Sequence, residues 1–277
     1  GPDSGSRPMP CRPPLPTFHP MNEDHPHALC DQATMAERAR ADDAPDWLTR
    51  HFETFTGALT GERNGTPFPC HFGTNAVERG DLLYTAVPSL TDPAALFGFR
   101  DAVLEYLDTY QDHADLAPLV AFFAPPEGGA DAFAEADWHE ALWHVLQFLH
   151  VNDPEPWPED VPTDPDDPRW EFSFGGTPMF PTSRAPFYDD RRSRYCPVGL
   201  EITFQPRDVF DGLTHDTEAG AHAREVIQDR LDDYDGVCPH ADLGDYGVEG
   251  DREWRQYLFS EDESQFPDEC PLTVTPE

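Results

Sequence analysis

Apolar and polar positions follow a helical period through Asp131–His150, DAFAEADWHEALWHVLQFLH. At about 100° per residue, with Trp143 at zero, Glu140, Gln147 and His144 fall together at roughly 40–100°. Trp143, Leu142, Val145, Leu146 and Leu149 cover the opposite side. His150 falls between Trp143 and Leu146, in the last turn. The pattern predicts a helix with one buried face, an exposed His144 and a buried or half-buried His150. The two histidines lie on different faces and cannot chelate one ion together, because a two-histidine metal helix needs a spacing of about four. A metal held by His150 would have it as a lone protein ligand, the way a haem iron is usually held.

The same reading places the other elements. Asp46–Arg63 has helical apolar spacing, with Asp46 as N-cap. Next come a short extended piece at FPCHFG, a turn at Gly73, a brief helix and a strand around Leu82–Val87. Asp92–Tyr110 reads as a helix and Leu119–Phe123 as a short buried strand. The proline-rich, acidic run VNDPEPWPEDVPTDPDDPRW after His150 has no period and reads as a long loop that is functional or wraps the fold. Trp170–Phe174 and Met179–Phe180 read as strands around a Gly-Gly turn, Gly199–Phe204 as another strand and Glu218–Tyr234 as a last helix. Residues 235–277 are loop-rich and acidic. Residues 1–43 show no period and read as a disordered leader, with Met21 as a candidate natural start. Helices and strands interleave over 44–277 without a boundary or repeat. The expected fold is a single α/β or α+β domain, a small mixed sheet flanked by helices.

Charge narrows the partners. The net charge is −36, with 54 acidic residues against 18 basic ones, and every basic residue is arginine. Such a surface repels nucleic acid and anionic membranes. The acid is spread along the chain, as expected for a protein adapted to concentrated salt, where screening removes self-repulsion. No apolar run is long enough to span a bilayer and no Sec-type leader is visible. The six cysteines form no CxxC pair, so a zinc ribbon is not expected, and free thiols in a cytoplasmic protein are. Nothing fixes an oligomeric state.

Three groups of residues bear on chemistry. Arg184, Arg191, Arg192, Arg194 and Arg207 crowd into one stretch of a chain short of cations. Arginine near aromatics suits planar anions such as carboxylates, phosphates or haem propionates; internal pairing with the many carboxylates fits the same pattern equally well. Cys70 and His71 sit between aromatics in FPCHFG. In an extended segment only one of them can face a given site, and spacing alone favours a buried structural cysteine. The acids Asp160, Asp164, Asp166, Asp167 and Glu171 are too many for any pair to single itself out. No dinucleotide, P-loop, nucleophile-elbow or HExxH motif is present. The catalytic residues are not identified by these patterns.

FPCHFG (68–73), LxxLH with DPEPWP (146–158), DPDDPRWEFSFGGTPMF (164–180), RRSR (191–194), ITFQPRDVFD (202–211), IxxRLxxYD (227–235) and EWRQYLF (253–259) occur in this order. As a set they resemble the YqcI/YcgG family over roughly 50–275. The resemblance implies a haem-dependent N-oxygenase that uses dioxygen and an electron donor to hydroxylate a nitrogen of a guanidine or amine, typically an arginine-like small molecule. It further implies haem b on His150, with Asp153 as the candidate partner of its second ring nitrogen. Arg191, Arg194 and Arg207 would hold propionates or a substrate carboxylate. Cys70 and His71 would line the distal side or ligate iron, and Asp166, Asp167 or Glu171 would face a cationic substrate. This chain departs from the family's other branch in its QPR stretch, at the substrate contacts. Two other readings stand beside the oxygenase: a non-catalytic haem or small-anion binding protein, and a fold that binds no cofactor.

Overall fold

Period-two alternation in the strands assigns their side chains to two faces. A computed structural model describes residues 28–210, 217–264 and 267–275. In chain order the elements are β1 (Cys30–Asp31), α1 (Gln32–Arg40), α2 (Asp46–Thr60), β2 (Glu62–Arg63), β3 (Thr66–Pro67), α3 (His71–Arg79), β4 (Leu83–Val87) and α4 (Pro93–His113). They continue with β5 (Leu119–Phe123), α5 (Glu135–Val151), β6 (Ser173–Phe174), β7 (Thr177–Arg184), β8 (Glu201–Pro206) and α6 (Glu218–Asp235). Six strands form one mixed sheet in the order β1-β4-β5-β8-β7-β6, and β2 and β3 form a small hairpin. The pair β4–β5 is parallel, so it needs a crossover, which α4 supplies. The other pairs are antiparallel. This is the expected single α/β domain with a small mixed sheet.

Leu83, Val87, Leu119, Ala121, Phe123, Ile202 and Phe204 face α4, α5 and the C-terminal segment, forming the larger core with Phe99, Trp138, Leu146 and Trp254. Tyr84, Ala86, Val120 and Phe122 face the other way and pack under α1, α2 and α3. The proline-rich loop after α5 wraps the larger core. Trp157 donates its indole N–H to the Val161 carbonyl at 3.0 Å and stacks on Trp170. Among the described residues no helix is long and apolar enough to cross a membrane.

Several expectations are corrected. Residues 1–27 lie outside the described residues, but Cys30–Arg40 forms β1 and α1 rather than leader. The Asp31 carboxylate caps α1 by accepting from Thr34 N at 2.8 Å, and Met35 and Ala39 are buried. Pro45, not Asp46, is the N-cap of α2; Asp46 is its first residue, where its charge favours the helix N-terminus. Gly73 makes no turn. It lies inside α3 against Leu59, where a Cβ would meet Leu59 Cδ2 at 3.5 Å, an ordinary contact. The helix of Asp131–His150 begins only at Glu135, where Asp137 accepts from Ala134 N at 2.8 Å. The Gly-Gly turn stands as expected, both glycines having positive φ (59° and 72°), but β7 runs on to Arg184.

Candidate functional site

The second face of the sheet is covered by α2 and α3 over β4 and β5, but not over β7 and β8. On those two strands the residues that alternate toward this face are Phe180, Thr182 and Arg184, and Glu201, Thr203 and Gln205. The antiparallel register sets them opposite one another: Phe180 with Gln205, Thr182 with Thr203 and Arg184 with Glu201. They form one wall of a cavity of about 260 Å³. Phe55 and Leu59 of α2 and Phe68, Cys70 and Phe72 of FPCHFG supply the apolar walls around it.

Arg184 and Glu201 are the charges of the cavity, 7% and 1% exposed, so both are desolvated. Arg184 Nη1 donates to Glu201 at 3.1 Å and Nη2 to the Tyr195 carbonyl at 2.7 Å. Its Nε is buried with no acceptor. Burial opposes charge on both groups, raising Glu201 and working against Arg184; the Glu201 carboxylate more than restores the arginine and holds it above its ordinary value. Behind the pair, His51, Cys196 and Glu201 bring their donor atoms within 4.8 Å of one another. His51 Nε2 meets the Phe123 carbonyl at 2.8 Å, which fixes the proton on Nε2 and leaves Nδ1 to accept from Cys196 Sγ at 3.5 Å. Burial pushes His51 down to about 3 and Cys196 up to about 11. Both are therefore neutral near pH 7, an uncharged hydrogen-bonded support beneath the ion pair.

Of the residues expected from sequence, Cys70 lines this cavity and His71 does not. Cys70 is the N-cap of α3. Burial raises its thiol, opposed by the backbone N–H groups of Gly73 and Phe72. His150 lies across the sheet, on α5. It is buried as expected, and His144 is exposed as expected. His150 Nε2 accepts the Thr275 N–H at 3.0 Å, and its ring meets Trp157 edge-on. Together with Gln147, which pairs with both backbone groups of Thr273, it fastens the C-terminal segment to α5. Asp153 is not its partner; that carboxylate accepts from Gly175 N and Glu155 N.

The expected anion-binding arginines are committed internally. Arg191 donates to the Glu261 and Cys238 carbonyls and to Glu263 at 2.7 Å. Arg194 donates to the Ser183 and Gln256 carbonyls and lies over Phe259. Arg207 bridges Glu171 at 2.6 Å and Glu253, and stacks on Tyr246. With two buried carboxylates on one cation, burial pushes Glu253 up to about 8. Asp166 and Asp167 pair with Arg252 and Arg169. So Arg207 and Glu171 meet as an internal ion pair, while Arg191, Arg194 and His150 are each engaged with other partners. The residues of this cavity and its support that sequence reasoning missed are Glu201, His51 and Cys196. The polar alternation TxR in β7 and ExTxQ in β8 is the signal for the first of these.

The comparisons agree with the motifs. No solved structure matches the chain. Uncharacterized protein YcgG of Bacillus subtilis is 33% identical over 232 residues, 84% of this chain and 90% of YcgG. Uncharacterized protein YqcI of the same organism is 31% identical over 228 residues, 82% of this chain and 88% of YqcI. A protein of Streptomyces lavendulae named Putative N(omega)-hydroxy-L-arginine synthase DcsA is 33% identical over 237 residues, 84% of this chain and 86% of that one. The YqcI/YcgG family model matches residues 55–273, almost the whole of the described domain, and the chain belongs to the YqcI/YcgG family.

Proposed function

We propose that this chain hydroxylates a guanidine or amine nitrogen of a small, arginine-like molecule held in the cavity between α2, α3, β7 and β8. One observation carries the reading: the cavity sets a buried carboxylate, Glu201, and a buried cation, Arg184, beside the neutral polar groups of Thr182, Thr203 and Gln205, in a chamber whose other walls are mainly apolar. Its volume, about 260 Å³, suits an amino-acid-sized molecule. The printed name of the Streptomyces relative supports the substrate class.

The reaction balances with one oxygen atom of dioxygen entering the new N–O bond and the other leaving as water. Two electrons come from an external donor, with two protons. The residues of this chain bind and orient the molecule: Glu201 accepts from a cationic group, and Phe55, Leu59, Phe68 and Phe72 exclude water around its apolar part. Oxygen activation needs a redox group, and haem b is the one that the resemblance implies. The described residues do not gather around His150 as a haem pocket would require. Its Nε2 already holds Thr275, and Arg191, Arg194 and Arg207 are satisfied within the protein. Cys70 is the expected iron donor that does line the cavity. A cytoplasmic setting belongs to the same reading, supported by the free thiols of Cys30, Cys70, Cys196, Cys238 and Cys270.

The test is incubation of the full chain with haem, a reductant, dioxygen and L-arginine, followed by mass spectrometry and an absorption spectrum. A product carrying one added oxygen atom, dependent on dioxygen and reductant, is expected. A Soret band without any oxygenated guanidine or amine would favour the second reading, a non-catalytic binding protein.

A further inference from the structure

The Arg184–Glu201 pair is a costly feature to place inside a cavity. Two desolvated charges need several compensating bonds, and apolar residues of similar size would serve the fold as well. The bonding around this pair is incomplete. Arg184 uses Nη1 on Glu201 and Nη2 on Tyr195, while Nε has no acceptor. A guanidinium carries five N–H donors, so capacity remains for a further planar anion. Glu201 takes bonds from Arg184 alone among the described hydrogen bonds, so its two oxygens can also accept from a cation. The neighbours on the same wall, Thr182, Thr203 and Gln205, are neutral hydrogen-bonding groups. The rest of the cavity is aromatic and aliphatic.

A cation and an anion side by side at the end of a largely apolar chamber suit a head group that carries both charges, such as a carboxylate and an ammonium borne by the same carbon. From this geometry we infer that the cavity binds the zwitterionic head of a free α-amino acid, its carboxylate on Arg184 and its ammonium on Glu201. The side chain then runs along Phe55, Leu59, Phe68 and Cys70. The inference deepens the proposed function and rests on that reading for the identity of the side chain. It makes Arg184 and Glu201 specificity-determining residues, and it predicts that guanidines without the amino-acid head are poor ligands. The bonds to Glu201 and to the Tyr195 carbonyl orient the fork, and the guanidinium carbon lies over Phe68, 5.9 Å from the ring centroid.

Calorimetric titration of the full chain tests this with four probes. These are L-arginine, agmatine (which lacks the carboxylate), the guanidino acid that lacks the α-ammonium, and L-norvaline (which keeps the head and lacks the guanidine). L-Arginine should bind about tenfold or more tighter than either truncated guanidine, as loss of a charge-assisted pair demands. Glu201→Gln should shrink the preference for L-arginine over the deaminated acid and leave that over agmatine. Because wild-type protein carries the main comparison, a variant that fails to fold does not blunt the test. Equal binding of L-arginine and agmatine would overturn the inference and leave the arginine-like reading intact. Binding of L-norvaline with no oxygenation of any guanidine would support the inference and sink the oxygenase. Absence of binding by every α-amino acid would overturn it outright.

Discussion

His150 shows how far a single side chain can be read from sequence. Helix geometry alone separates it from His144, and the structure buries one and exposes the other. What one helix cannot tell is which segment returns to meet the buried ring, and here it is the C-terminal Thr275, 125 residues away. Substituting His150→Ala leaves the Thr275 N–H without its acceptor. Thr275 is exposed, so water can take the acceptor's place, and the expected cost is that of one hydrogen bond, about 0.5–1.5 kcal/mol in a denaturant melt, with ligand binding retained. His51 makes a second prediction. Burial lowers its pKa from 6.5 to about 3, so the folded protein binds fewer protons than the unfolded chain between these values. The stability that His51 contributes is complete above about 6.5 and is lost as pH falls toward 3. Proton NMR of the ring should find it neutral at about pH 5, and an ordinary titration near 6.5 would refute the buried placement.

Among the elements, short strands and their turns were legible where chemistry is local. Leu119–Phe123 is an unbroken apolar run and is β5 to the residue. The Gly-Gly turn is fixed by its two positive φ values. Gly175→Ala forces an L-residue into the left-handed region, and its Cβ would lie 2.8 Å from Leu107 Cδ1. A loss of about 1–2 kcal/mol is expected from the backbone alone, read as a lower denaturation midpoint. Unchanged stability would mean that the hairpin is not held as described. The cavity was not legible, because it depends on pairing across the sheet. Arg184 stood out only as one of five clustered arginines, and Glu201 was one acid among many. Only the register of β7 on β8 makes them partners. FPCHFG misled in a different way. It reads as extended, yet Cys70 is the N-cap position of α3 and the helix starts at His71, packed on α2 through Thr74, whose hydroxyl donates to the Leu59 carbonyl at 2.8 Å.

For the molecule as a whole, the net charge of −36 sets the response to solvent. Self-repulsion among so many carboxylates is screened by salt, so the thermal midpoint should rise steadily from low ionic strength to molar salt. A flat response would show the charges to be balanced locally. The same scale decides where function resides. The sheet has two faces: His150 and the C-terminal segment occupy one, and the cavity with Arg184, Glu201 and Cys70 occupies the other. The proposed substrate site is on the second. The most direct measurement compares L-arginine binding, with oxygenation alongside it, in two variants shown to be folded: Thr203→Phe, which fills the cavity, and His150→Ala, which loosens only the opposite face. Thr203→Phe should abolish both readouts while His150→Ala keeps them. Binding that survives Thr203→Phe and disappears in His150→Ala would contradict the account and move the site to α5.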